Sequence, residues 1–193
     1  MARVLFVKPI PNKKRIQLGI FDESGEATYT VSESTYLDIG CPVSGVELSP
    51  NVLGTVRFAD ECYRALRYAM SYLSHSDKSR FELKMKLVRV GISYDAADTA
   101  LERLLELGYL DEDRQLERAV EREANYKLRG RYYIKRKLSA KGYSSAAINR
   151  AIERLADSGE VDFKANFEAL AEKKGITSEE DRFALEYKYG YRI

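Results

Sequence analysis

The chain of 193 residues has no tryptophan, one histidine, two cysteines and four prolines, and it lacks any long hydrophobic run. The apolar run in its first residues, MARVLFVKP, is too short for the core of a secretory signal. No stretch approaches the roughly 18 apolar residues of a membrane span. These absences predict a cytoplasmic protein with no membrane association. Cys41 and Cys62 show no metal-binding or redox spacing, so we expect two reduced thiols.

Motifs for catalysis are missing as well. The single histidine, His75, lies in the loop SHSDKS, and catalysis would require an orienting carboxylate together with a nucleophile or a metal. Nothing near it in sequence forms a recognised constellation of that kind, so we expect a surface loop residue. The acidic run LDEDRQLE lacks the glycine and the ligand spacing of a calcium loop, and it lies where a helix should begin. No phosphate loop, dinucleotide fingerprint or nucleophile elbow is present. We therefore predict that the chain is not an enzyme, with no catalytic residue, no metal site and no cofactor.

The first 48 residues differ in character from the rest. RVLFVKP, RIQLGIF and ATYTVS are rich in β-branched and aromatic residues, and the turn sequence DESGE lies between the last two. SESTYLDIG then predicts one helical turn that ends at Gly40. This region, 1–48, is expected to form a small β-hairpin or meander. From Ser49 onward the patterns are helical, with Ser49 as N-cap and Pro50 opening a short lead-in helix.

The helical part repeats itself with a period of 51 residues. Residues 80–111 align without a gap on residues 131–162, and 13 of these 32 positions are identical. Arg182, Phe183, Leu185 and Lys188 continue the pattern a third time, up to Ile193, which occupies the place of Gly142. A fixed period of this length indicates tandem supersecondary units. We predict a lead-in helix and first repeat over 49–111, a second repeat over 112–162, and a truncated third repeat over 163–193.

Each complete repeat is predicted to contain three helices. The first spans about 60–74 and again about 112–128, and the second spans 79–90 and 130–141. Gly91 and Gly142 end the second helices, and Ser93 and Ser144 begin the third. Asp111 and Asp162 are placed to cap the following helix. The spacing of apolar residues predicts core positions at Leu83, Leu87, Leu101, Leu104, Ile134, Leu138, Ile148, Ile152 and Leu155.

One segment carries most of the unbalanced charge. The segment KLRGRYYIKRKLSAKGY, residues 127–143, contains seven Lys or Arg and no acid, whereas the whole chain has a net charge of only +2. On a helix, Arg131 and Lys135 share one face, and Tyr132 and Arg136 form a row beside it. Lys84 and Lys86 hold the positions of Lys135 and Lys137 in the preceding repeat, so stacked repeats would align their cations along one side.

Two interpretations of this charge remain open. The cations can form a solvated face that lies over a neighbouring helix, or an electrostatic docking surface for an acidic partner. Tyr132 and Tyr143 are expected to be half-buried, with base stacking as a further role for some tyrosines. The predicted docking residues are Arg80, Lys84, Lys86, Arg89, Lys127, Arg129, Arg131, Lys135, Arg136, Lys137 and Lys141.

Three ordered stretches resemble the RecX family, the regulators of the RecA recombinase. SRFELKMKLVRVGIS is similar to the second-helix pattern of that family, and ALERLLELGYLDEDR to its third helix and exit turn. RGRYYIKRKLSAKGYS resembles the corresponding part of the next repeat. The resemblance covers about 60–165, with a weaker tail. The chain departs from the pattern in its truncated third repeat, where Glu186 stands in the place of Lys84 and Lys135.

The resemblance implies a mostly α fold of tandem three-helix repeats in an elongated, curved body. It also implies a monomeric protein that binds RecA and the RecA–DNA filament and restrains recombinase, ATPase and co-protease activities. Single- or double-stranded DNA within the filament would be a partner, bound weakly on its own. The alternative from a different class is a tandem helix-turn-helix-like DNA-binding protein without a RecA role, which should read base edges and show sequence preference. A third reading is a structural adaptor whose basic patch is only a solvated face.

Overall fold

In a computed structural model, which describes residues 1–192, the N-terminal region forms a four-stranded antiparallel sheet with strand order β3-β2-β1-β4. The strands are β1 (Ala2–Ile10), β2 (Arg15–Asp22), β3 (Gly25–Ser32) and β4 (Glu47–Leu48), with helix α1 (Glu33–Asp38) between the last two. Val4, Leu18, Ile20 and Val31 are buried on one face of the sheet. The predicted meander is confirmed, because short turns join alternating apolar strands.

Helix α2 (Pro50–His75) is one continuous helix of 26 residues. The prediction of a separate lead-in helix before a helix at 60–74 is wrong. Gly54 is a helix interior position, and its cost of about 1 kcal/mol relative to alanine does not break the helix. Val56, Ala65 and Ala69 are buried along one face, and this packing holds the helix together across the glycine.

The remaining helices follow the predicted periodicity closely. They are α3 (Arg80–Arg89), α4 (Tyr94–Glu106), α5 (Glu112–Glu121), α6 (Arg131–Ser139), α7 (Ser145–Asp157), α8 (Phe163–Lys174) and α9 (Glu179–Tyr189). Four predicted caps are confirmed by hydrogen bonds from backbone N–H groups to side-chain oxygens, at Ser93, Ser144, Asp111 and Asp162. The mostly α fold class with a small strand region at its start is therefore confirmed.

The second-repeat helix predicted for 112–128 ends earlier than expected. Helix α5 stops at Glu121, and a π-helical turn, Arg122–Tyr126, continues the chain. The wider turn directs Glu123 and Ala124 into the protein, where 2% and 0% of their surface is exposed. Such turns are rare and often accompany functional sites, and here the turn places a carboxylate in the interior.

All nine residues predicted as core are buried, with 2% or less of their surface exposed. In the second repeat, Ile134 and Leu138 from α6 pack with Ile148, Ile152 and Leu155 from α7. A smaller core in the third repeat contains Phe167, Leu170, Ala171 and Leu185, with Leu128, Tyr189 and Tyr191 packed against it.

The described chain divides into two compact units. Unit 1 contains residues 1–74 and 84–107, and unit 2 contains residues 75–83 together with the described chain from Gly108 onward. Unit 2 holds α5 to α9 and therefore most of the unbalanced charge. No helix within residues 1–192 has the length and hydropathy that crossing a bilayer requires.

Candidate functional site

The basic segment of unit 2 begins beside a buried carboxylate. Glu123, in the π-helical turn, accepts hydrogen bonds through Oε1 from Lys127 Nζ and Lys137 Nζ, each at 2.9 Å. Burial works to raise the pKa of this carboxyl, but the bonds from Lys137 and Lys127 outweigh it and hold the pKa below its ordinary value. Two of the predicted docking cations therefore face an internal acid.

Lys141 and Arg80 also contact acidic residues of the same unit. Lys141 Nζ lies 3.3 Å from Glu82 Oε1, and the backbone N–H of Arg80 donates to Glu112 Oε1 at 3.2 Å. Both side chains are half-buried. These two contacts lie within unit 2 and link its residues 80–82 to Glu112 and Lys141.

Arg129 and Arg131 lie over aromatic rings. The Arg129 guanidinium lies between two rings, 4.3 Å from the centroid of Tyr133 and 4.5 Å from that of Tyr189. Its Nε is buried and has no hydrogen-bond acceptor within the described chain. Arg131 lies 4.8 Å over Phe163 and remains exposed. Arg129 thus contributes mainly to packing, whereas Arg131 can meet a ligand.

Three cations of α6 have no carboxylate within 4 Å among residues 1–192, namely Arg131, Lys135 and Arg136. Lys135 is half-buried and Arg136 is exposed, 5.8 Å from the ring centroid of Tyr133. Together with Arg131 they form what we call the α6 cation row. Within unit 2, this row is a part of the predicted surface whose positive charge no carboxylate of the described chain neutralises.

Three of the four predicted cations of the first repeat belong to unit 1, whereas Arg80 belongs to unit 2. Lys84 Nζ pairs with Asp98 at 2.6 Å and lies 5.2 Å over the ring of Tyr94. Lys86 Nζ lies 4.9 Å over the ring of Tyr72. Arg89, at the end of α3, is exposed and has no ion-pair partner in the described part of the chain.

A groove lies beside the α6 cation row, where the end of α9 meets the start of α6. The Gly130 N–H donates to Tyr189 O and the Tyr132 N–H donates to Gly190 O, both at 2.9 Å. These bonds satisfy N–H groups that a helix start otherwise leaves without partners. The groove has a volume of about 310 Å³, and its lining residues are Tyr132, Tyr133, Arg136, Tyr187, Lys188, Gly190 and Arg192.

Arg136 and Tyr132 belong to the charged segment that was predicted from the sequence, whereas the contribution of α9 to this region was not predicted. Tyr187, Lys188 and Arg192 line the groove and were not predicted as site residues. The alternation of tyrosines and cations in EYKYGYR is the signal that could have indicated them. Within residues 1–192 no cluster of three His, Cys, Asp or Glu side chains could hold a metal ion.

The architecture and the groove define a helical-repeat protein with a cationic, tyrosine-lined surface. A family model described as "RecX, first three-helix domain" matches residues 65–104. Regulatory protein RecX of Lactobacillus johnsonii is 29% identical over 153 residues, which cover 79% of this chain and 56% of the relative. Regulatory protein RecX of Stenotrophomonas maltophilia is 34% identical over 106 residues, 55% of this chain and 62% of the relative.

Two crystal structures share the fold. That of a regulatory protein RecX has a TM-score of 0.66 at 19% identity and covers 95% of this chain and 89% of its own. That of RecX from Lactobacillus salivarius has a TM-score of 0.56 at 23% identity and covers 68% and 86%. The resemblance in the sequence to RecX proteins is thereby confirmed by the family model over residues 65–104 and by the curated relatives, and the two crystal structures show the same fold. The chain spans 56% of the length of the relative from Lactobacillus johnsonii and 58% of that from Lactobacillus gasseri.

Proposed function

We propose that this chain is a non-enzymatic regulator that binds RecA and the RecA–DNA filament and restrains its recombinase, ATPase and co-protease activities. Similarity to relatives that are named regulatory protein RecX supports a regulatory role. The observation that carries the binding mode is the α6 cation row, Arg131, Lys135 and Arg136, which has no acidic partner among the described residues.

A polyanionic filament is the ligand that such a row fits best. Nucleic acid presents a dense line of phosphates, and cations that neutralise them give an affinity that falls steeply with salt. Clustered positive charge also accelerates encounter by electrostatic steering. The filament is the anionic polymer on which a RecA regulator acts, so charge and family point to the same partner.

The predicted docking residues then divide into two roles. Arg131, Lys135, Arg136 and, in unit 1, Arg89 would contact the filament directly. Lys127 and Lys137 would act through Glu123, because a lysine bonded to a buried carboxylate holds the adjoining loop and helix in place. Lys84 and Lys141 would shape the surface through Asp98 and Glu82.

RecA-dependent ATP hydrolysis on single-stranded DNA, titrated with this protein at two salt concentrations, tests the proposal. Reversing all three charges of the α6 cation row to Glu should weaken inhibition strongly and lower the salt slope of binding by roughly three, about one per contact. In the matched control variant, three exposed lysines of α8 in the same unit are replaced by Glu, namely Lys164, Lys173 and Lys174. This variant should inhibit RecA-dependent ATP hydrolysis as the wild type does.

Three results would contradict the proposal. The first is that the wild type does not change RecA activity. The second is that the row variant inhibits RecA as strongly as the α8 control variant does. Binding of duplex DNA with strong sequence preference and no RecA effect would favour the helix-turn-helix-like alternative. Far-ultraviolet circular dichroism of both variants checks that the fold is retained, since exposed charges contribute little to stability.

A further inference from the structure

The groove between α6 and α9 combines aromatic rings and cations and has no acid in its lining. Three tyrosines, Tyr132, Tyr133 and Tyr187, contribute the rings, and Arg136, Lys188 and Arg192 contribute the charges. None of the described lining residues is Asp or Glu. A volume of about 310 Å³ lies at the lower end of the range of about 300–1,000 Å³ for sites that take small ligands or parts of larger ones.

Two of the rings are open to a ligand. Tyr187 is 68% exposed and Tyr132 is 43% exposed, whereas Tyr133 is half-buried beneath Arg129. An exposed tyrosine offers a planar, weakly polar face on which another planar group can stack. Ion pairing alone does not require exposed aromatic faces, so these rings indicate a ligand with a planar group.

The three cations of the groove differ in whether they already have a partner within the described chain. Arg192 lies 5.0 Å over the ring of Phe183, with Nη1 3.6 Å from Glu186. Arg136 and Lys188 have no carboxylate partner in the part of the chain that the structure describes. Two such cations beside open rings match a ligand that carries anionic and planar groups in alternation.

The walls of the groove are held rigidly by the backbone. The hydrogen bonds from Gly130 and Tyr132 to the end of α9 fix the two helices against each other. Arg129, between the rings of Tyr133 and Tyr189, ties the same two helices together. A preorganised site loses less conformational entropy when a ligand enters it.

We propose that this groove binds single-stranded nucleic acid, with an unstacked base on Tyr187 and Tyr132 and the adjoining phosphates on Arg136 and Lys188. A single strand presents free base faces and phosphates together, and stacking on aromatic side chains tolerates any sequence. The bases of a duplex are already stacked and cannot reach the rings. An acidic peptide could pair with the cations but would leave the tyrosine faces uncovered. This inference rests on the proposed function in one respect only, which is that the single strand would come from the DNA of the RecA filament.

Fluorescence anisotropy with a labelled oligothymidine of roughly 16 nucleotides, the upper size of a common single-strand site, tests the groove without RecA. Tyr187→Ala should weaken binding about five- to 100-fold, the range that loss of one stacked base produces. Tyr187→Phe keeps the ring and should bind as the wild type does. Tyr109→Ala is the matched control, because Tyr109 is 58% exposed in the same unit and does not line the groove.

An abasic strand of equal length separates stacking from charge. The abasic strand should bind weakly, with the same affinity for the wild type and for Tyr187→Ala. Lys188→Ala should lower the affinity for both the oligothymidine and the abasic strand, and it should lower the salt slope of binding by about one. The inference is overturned if the wild type does not bind the oligothymidine, if Tyr187→Ala binds it normally, or if an oligoglutamate binds more tightly at equal charge. Intact binding through Tyr187 with no effect on RecA would overturn the proposed function and leave the groove assignment standing.

Discussion

Gly130 and Gly190 pack backbone against backbone, with the N–H of Gly130 bonded to the carbonyl next to Gly190. A Cβ added to Gly130 would overlap the carbonyl carbon and oxygen of Gly190. Gly190 has a φ of 78°, in the left-handed region that favours glycine, and a Cβ there would meet the backbone of Tyr133. These two residues therefore set how closely α9 approaches the start of α6.

We expect Gly130→Ala to destabilise unit 2 by about 1–3 kcal/mol, because backbone atoms cannot move aside as a flexible side chain can. Chemical denaturation followed by circular dichroism measures the change. Gly54→Ala is the control, since Gly54 lies inside α2 with open space around it, and it should raise stability by about 0.5–1 kcal/mol. A neutral or stabilising effect of Gly130→Ala would contradict the close packing of the two helices.

Glu123 should make the stability of unit 2 depend on pH. Its pKa is lowered in the folded chain, so its contribution is present above the unfolded pKa of about 4.3 and is lost as the pH falls through the lower folded value. Glu123→Gln should cost about 1–3 kcal/mol at neutral pH, because it leaves two lysines without an anion. In denaturation curves between about pH 5 and pH 3, the wild type should lose more stability than this variant.

The control for the pH series is Glu153→Gln, on the exposed side of α7. It should lose stability with falling pH in parallel with the wild type. Identical pH profiles for Glu123→Gln and the wild type would mean that the two lysines do not bind the folded carboxylate.

Leu138→Ala should remove about 2–5 kcal/mol of stability, since Leu138 is 1% exposed and lies in the core of the second repeat. Thermal unfolding followed by circular dichroism checks this value. Leu37→Ala, at a position that is 67% exposed, should change stability by no more than about 0.5 kcal/mol. Equal effects of the two substitutions would show that the helix faces are assigned incorrectly.

The features that the sequence predicted well are local ones. Ser93, Ser144, Asp111 and Asp162 cap helices because a short polar side chain next to an apolar period has one favourable arrangement. The repeat of 51 residues placed the core residues correctly, because identical apolar positions bury the same face in each unit. The start of α2 at Pro50 was predicted, but its continuity to His75 was not, because the packing that joins the two predicted helices is supplied only by the fold.

The features that the sequence did not predict depend on distant residues. Lys127 and Lys137 appeared to be surface charges because their segment has no acid, yet Glu123 enters from the preceding turn. A π-helical turn leaves no clear pattern in the sequence, so the direction of Glu123 could not be foreseen. The groove needs α9 to meet α6, and this contact joins residues about 60 positions apart through backbone atoms, which carry no sequence signal.

The internal anion at Glu123 changes how the positive charge of this protein should be counted. A cation displaces about one condensed counterion from nucleic acid for each phosphate it neutralises. Lys127 and Lys137 already have a partner in the folded chain, so they should displace few, whereas Arg136 can displace its full share. The thermodynamic valence of the surface is therefore smaller than the seven Lys and Arg of its segment would suggest.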